Sequence, residues 1–143
     1  MDDSDIAQMI DLSCVRADST LDEIDDAVAL SVEHGVFAIF VLPAHMPYLI
    51  GRIGDAPVLA AATVGFPGGG ASTATKVAEV REQKALGCGE FDMVHNIAWL
   101  KAGKLDLYRD DIRAVIEAAE GLPVKVILEC HHLTNEEIVR ACN

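Results

Sequence analysis

The sequence predicts an α/β protein whose parallel sheet is covered by helices, and three observations carry that expectation. Apolar, strand-like runs begin near residues 10, 36, 58, 90 and 124. Segments with apolar side chains at helical spacing separate them. The runs are nearly continuous in apolar residues rather than alternating, as in strands buried on both faces. A doubly wound open sheet and a (β/α)8 barrel both fit this pattern. Five strands suit the open sheet by count, whereas a barrel usually needs about 250 residues, of which 143 would supply just over half.

Each element has a local reason. Ile10 to Val15 is a short strand. Thr20 with Glu23 is a capping-box signature, and Ile24, Ala27, Val28, Ser31 and Val32 follow at helical spacing until Gly35. Val36 to Leu42 is an apolar strand stopped by Pro43, and Pro47 opens a short helix to about Arg52. Val58 to Val64 is a third strand, followed by the turn Gly65-Phe66-Pro67-Gly68-Gly69-Gly70. Ser72 or Thr73 caps a helix running to Gly87. Glu90 to Ile97 reads as strand four, about Leu107 to Glu120 as a helix broken by Gly121, and Val124 to Cys130 as strand five. Thr134 with Glu137 caps the last helix.

Composition narrows the function classes. With 24% charged and 51% hydrophobic residues the chain reads as one globular domain, 1–143, and not as a disordered or collagen-like sequence. No apolar run approaches the ~18 residues of a membrane span. The acidic start, Met1-Asp2-Asp3-Ser4-Asp5, lacks a signal peptide's basic and apolar regions, so a cytoplasmic location is expected. Net charge is −12, and nine of the 23 acids lie in the first 26 residues, where Arg16 is the sole cation. Nucleic acid is therefore not an expected partner, because phosphate binding needs clustered basic side chains. Cys14, Cys88, Cys130 and Cys142 form no Cys-x-x-Cys pair and are expected as reduced thiols.

Two charged residues interrupt apolar strands. Asp92 shares a strand face with Glu90, Val94 and Asn96, and Lys125 shares one with Ile127 and Glu129. A buried carboxylate or amine is costly unless paired, so facing each other is the cheapest arrangement for Asp92 and Lys125. A structural ion pair, a strand face that is in fact turned to the surface, and a reactive carboxylate–amine pair suited to proton transfer or carbonyl chemistry are all open at this point. The glycine turn follows a strand and precedes a helix, where N–H groups could meet an anion, but it lacks the dinucleotide and P-loop spacings. Cys130-His131-His132, with His95 elsewhere, matches no zinc spacing, so no metal is expected.

Taken together, several segments resemble the deoxyribose-phosphate aldolase family. Ile10-Asp11-Leu12-Ser13 is similar to its first strand, and Val41-Leu42-Pro43 followed by Pro47 to its second. Thr63-Val64-Gly65-Phe66-Pro67-x-Gly69 resembles its third-strand loop, one residue shorter. Glu90-Phe91-Asp92-Met93-Val94-x-Asn96-Ile97 with Leu100-Lys101-x-Gly103 resembles its fourth-strand run. Val124 to Glu129, with Leu133-Thr134 and Glu136-Glu137, resembles its fifth strand and following helix cap. The resemblance implies a (β/α)8 TIM barrel, seen here as about five βα units. It implies a class I aldolase that cleaves 2-deoxyribose 5-phosphate reversibly into glyceraldehyde 3-phosphate and acetaldehyde, with no cofactor. It implies Asp92 in proton transfer, Lys125 beside it, and Asp11 and Ser13 lining the pocket for a small phosphorylated sugar or aldehyde. The family's Schiff-base lysine, on a sixth strand, has no counterpart in residues 1–143, which are expected to be inactive alone. Phe40 stands where the family often has a polar residue or Cys. The alternatives are a related aldehyde lyase, or a non-catalytic half-barrel acting as a binding or assembly module. Unpaired edges at strands one and five lead to an expectation of self-association.

Overall fold

The structure, a computed structural model, describes residues 2–143. In chain order it forms α1 (Asp3–Ala7), β1 (Asp11–Cys14), α2 (Leu21–His34), β2 (Ala38–Val41), α3 (Met46–Ile53), β3 (Leu59–Val64) and α4 (Thr73–Ala85). Then come β4 (Glu90–Val94), α5 (Ile97–Lys101), α6 (Leu105–Ala119), β5 (Val124–Ile127) and α7 (Asn135–Cys142), with 3-10 turns at Pro43–His45 and Cys130–His132. The strand order is β1-β2-β3-β4-β5. A doubly wound sheet reverses its strand order at a switch point. A sequential order belongs instead to a singly wound (β/α) barrel, and this separates the two architectures left open by periodicity. No helix among the described residues is long and apolar enough to cross a membrane.

The chain divides into two compact units. In the first, which holds the residues up to Thr63 together with Gln83–Glu90, β1, β2 and β3 pair in parallel with Asp11 beside Ala38 and Ala38 beside Leu59. Ala38, Phe40 and Ala61 form a buried cluster backed by Val15 and Leu59. Helix α2 starts where expected. Thr20 Oγ1 accepts from Glu23 N, the Glu23 carboxylate accepts from Thr20 N, and Gly35 ends the helix in the left-handed region. Its buried stripe is Ile24, Ala27 and Ser31, while Val32 of the expected apolar face is exposed.

The second unit holds Val64–Glu82 and Phe91–Asn143. Parallel β4 and β5 set Phe91, Asp92, Met93 and Val94 beside Val124, Lys125, Val126 and Ile127. Two expected strands end early, for local reasons. β4 stops at Val94 because Asn96 Oδ1 accepts from Trp99 N and caps α5, turning Ile97 into a helical residue. β5 stops at Ile127, and Glu129 at φ 49° turns the chain into the 3-10 segment that carries Cys130, His131 and His132. The acidic N-terminal arm also holds a helix, α1, closed by reciprocal bonds between Asp2 and Asp5.

The glycine turn after β3 packs tightly against the end of β4. Gly69 has φ +68°, and a Cβ there would lie 1.9 Å from the His95 carbonyl oxygen. Both left-handed strain and a backbone clash oppose any side chain at this position. Gly69→Ala is expected to lower the unfolding free energy by about 2–4 kcal/mol, read from the urea midpoint at unchanged m-value. A loss below the error of that measurement would show that the turn and β4 are not locked together.

Candidate active site

Strands β4 and β5 bring the two charged strand residues together. Asp92 and Lys125 are register partners, and in-register residues of neighbouring parallel strands project from the same face. Lys125 Nζ lies 3.5 Å from Asp92 Oδ1. Glu90, which is buried, and Val94 share that face of β4. The pair is not the fully buried one expected from the apolar runs, since the Asp92 side chain is 22% exposed and that of Lys125 is 46% exposed. The reason lies in β5, which stands last in the strand order and has no buried residue along its length. A carboxylate and an ammonium held side by side, one half-buried and one open to solvent, can exchange a proton with a small molecule laid across them.

Asp11 and Ser13 lie in the first unit, two residues apart on β1 and so on one face. Their register partners on β2 are Ala38 and Phe40, and those of Phe40 and Ala38 on β3 are Ala61 and Leu59. Asp11 is half-buried and Ser13 exposed. The two residues therefore present a carboxylate and a hydroxyl beside an apolar floor of Phe40 and Ala61.

The glycine turn does not offer a free anion cradle at its first amide. Gly65 N donates to Glu79 Oε2 at 2.7 Å and Gly69 N donates to Gly65 O at 2.8 Å. A Cβ on Gly65 would sit 2.7 Å from Lys76 Cε, so this glycine admits the buried lysine stem from α4.

No family model matches the chain. The deoxyribose-phosphate aldolase of Klebsiella pneumoniae subsp. pneumoniae is 42% identical to it over 139 residues, 95% of this chain and 56% of that protein. Deoxyribose-phosphate aldolase 1 of Staphylococcus aureus is 40% identical over 132 residues, 92% of this chain and 60% of that protein. A solved structure from Coccidioides immitis, presented as a candidate deoxyribose-phosphate aldolase, superposes at TM-score 0.93 and 33% identity, covering 99% of this chain and 56% of that one. The likeness is to deoxyribose-phosphate aldolases. This chain spans between half and two thirds of the length of these aldolase relatives. The resemblance read from the motifs and the aldolase-type α/β fold both hold.

Beside the aldolase motifs lies a charged cluster that the motifs did not single out. Lys76 of α4 is fully buried, and its Nζ donates to Asp111 Oδ2 of α6 at 2.6 Å and to the Val94 carbonyl of β4 at 2.9 Å. Thr73 Oγ1 donates to the other Asp111 oxygen at 2.7 Å. The signal was available in the spacing. Lys76, Val80 and Gln83 form one buried stripe of α4, and Asp111, Val115 and Ala118 one buried stripe of α6. Each charged residue stands on the face that packs inward.

His95, considered in the sequence only as a metal ligand, is also fully buried. Its Nε2 lies 2.8 Å from Leu128 O, its ring meets Tyr108 edge-on at 5.3 Å, and Nδ1 has no hydrogen-bond partner. The ring is therefore the neutral Nε2–H tautomer donating to Leu128. Among the described residues no group of three or more His, Cys, Asp and Glu could hold a metal ion. Burial pushes the His95 pKa below the ordinary histidine value, and the Lys76 cation adds to this; the Leu128 carbonyl and Asp111 act against it.

Two solution properties follow. As pH falls, the unfolded chain protonates His95 first, at about pH 6.5, while the folded chain resists until its lower pKa is reached. Stability from this residue is thus intact above about pH 6.5 and declines on acidification below it. Wild type should lose more stability than His95→Gln between pH 7.5 and 5.5 in paired urea titrations; equal losses would remove His95 as the cause. Burial also pushes the Cys88 thiol up to about 11, whereas Cys130 and Cys142 are exposed. Iodoacetamide at pH 8 should label Cys130 and Cys142 in the native chain and spare Cys88, and native labelling of Cys88 would contradict its packing.

Proposed function

We propose that residues 1–143 form a single aldolase-type barrel portion that supplies part of the site for reversible cleavage of 2-deoxyribose 5-phosphate into glyceraldehyde 3-phosphate and acetaldehyde. The observation that carries this reading is the in-register Asp92–Lys125 pair, 3.5 Å apart, which joins the aldolase-like fourth-strand run to the fifth-strand run. In this class of reaction a lysine amine adds to the substrate aldehyde and loses water to give an iminium. Removal of the C3 hydroxyl proton releases the C2–C3 electron pair toward the iminium, giving glyceraldehyde 3-phosphate and an enamine. Protonation of the enamine and hydrolysis then give acetaldehyde and the free amine.

Within that scheme Asp92 moves a proton at the reacting carbons or hydroxyl, and the Lys125 cation holds its carboxylate in place. Asp11 and Ser13 bind hydroxyls of the sugar. The reaction needs no cofactor, and the acidic chain suits a small-molecule substrate in the cytoplasm better than nucleic acid. By the family resemblance the iminium-forming lysine stands on a sixth strand and has no counterpart on the five strands here, so residues 1–143 by themselves are inactive, and their edge strands favour association between copies.

A chimera tests this, with 1–143 replacing the matching segment of an aldolase relative. The folded chimera should cleave deoxyribose 5-phosphate, whereas 1–143 alone should not. Asp92→Asn or Lys125→Met should each lower its kcat by about 100-fold or more. A folded but inactive chimera would overturn the reading, as would full rates in both variants. Turnover by 1–143 alone, with a borohydride-trapped adduct on Lys125, would make Lys125 the nucleophile and overturn its assigned role.

A further inference from the structure

The end of β4 is held by side chains and turns more than by the sheet. Beyond Val94 the ladder to β5 weakens, since His95 N reaches Ile127 O only at 3.5 Å. In its place Lys76 Nζ binds the Val94 carbonyl at 2.9 Å, and the Gly69 turn closes on the carbonyl of His95. The His95 ring ties the strand end to Leu128. Of these, the contact from Lys76 is the one made by a charged group with no exposure to solvent.

Such a group is an expensive way to bind a carbonyl. A buried ammonium must be desolvated, and a well-packed apolar pair of similar volume is often as stable as a buried ion pair. What the ion pair gives that apolar packing cannot is a directed bond to one backbone atom. The ammonium is itself aimed from two sides. Asp111 holds it from α6 at 2.6 Å, and Thr73, one turn before Lys76 on α4, holds the second Asp111 oxygen at 2.7 Å. The chain of contacts runs Thr73, Asp111, Lys76, Val94 O, and it ends two residues from Asp92.

We propose that Lys76, Asp111 and Thr73 are positioning residues for the Asp92–Lys125 pair, fixing the end of β4 so that the Asp92 carboxylate stays in register with Lys125. Their importance to catalysis rests on the reading of that pair as reacting groups, but the positioning itself does not. None of the three touches substrate. They act through the β4 backbone.

The test reads the pair directly and needs no turnover, so failure of the aldolase assay and failure of this proposal are separable. The side-chain carboxyl carbon of Asp92 is followed by NMR titration in the 143-residue chain, with and without Lys125→Met. Removing the lysine cation raises the Asp92 midpoint, and the size of that rise measures how closely the two groups are held. The comparison background is Lys76→Met with Asp111→Leu, which removes one charge of each sign and leaves direct long-range effects on Asp92 nearly balanced. In that background the rise caused by Lys125→Met should fall to about half or less. Thr73→Val, which deletes one hydrogen bond and no charge, should reduce the rise in the same direction by a smaller amount. It carries the test if the double variant does not fold. An undiminished rise in a folded double variant, or in Thr73→Val where the double variant is unfolded, would overturn the proposal.

Discussion

Register between parallel strands is the constraint on which the rest of this molecule depends. Neighbouring residues in such a ladder face the same way, so a carboxylate in one strand and an amine in the next meet only if their positions match. Asp92 and Lys125 match, and so do Ser13, Phe40 and Ala61 across β1, β2 and β3. A one-residue slip of either strand would turn every side chain in it to the opposite face. It would place Met93 or Val126 where a charge now stands. The near-continuous apolar character of the strands leaves hydrophobicity a weak guide to register, because both faces tolerate the same residues. The pinning therefore falls to specific polar contacts and to glycines.

The Lys76–Asp111 pair shows how that pinning is energetically possible. Removing one partner of a buried pair typically costs about 3–5 kcal/mol, because the other charge is left without compensation. Replacing both is often neutral. The pair thus belongs to the molecule's specificity more than to its net stability, and its bond to Val94 O shows which atom is specified. Gly65 and Gly69 are the complementary half of the same packing, one making room for the lysine stem and the other for the His95 carbonyl.

Much of the fold was legible in local signals. The capping boxes at Thr20–Glu23 and Thr134–Glu137 open α2 and α7 as their residues require, and the five strands fall at the apolar runs. The juxtaposition of Asp92 with Lys125 was legible from the cost of an unpaired charge. Its exposure was not, because the burial of a strand depends on which neighbours cover it, and β5 has a paired neighbour on one side alone. The ends of β4 and β5 were missed where one side chain or one backbone angle overrides an apolar run, at Asn96 and Glu129. Lys76 and Asp111 were passed over because charge is ordinarily a mark of the surface. The helical stripes on which they stand contradicted that rule, and barrel against open sheet was decided by strand order, which periodicity does not encode.

The central claim is that Asp92 and Lys125 act as one unit because register holds them together. A double-mutant cycle on retro-aldol kcat measures this directly, using Asp92→Asn, Lys125→Met and their combination in the chimera that completes the barrel. Residues acting as a unit are strongly non-additive, so the double variant should lose little more than the more damaging single variant. Losses that simply multiply would contradict the account and make the two groups independent.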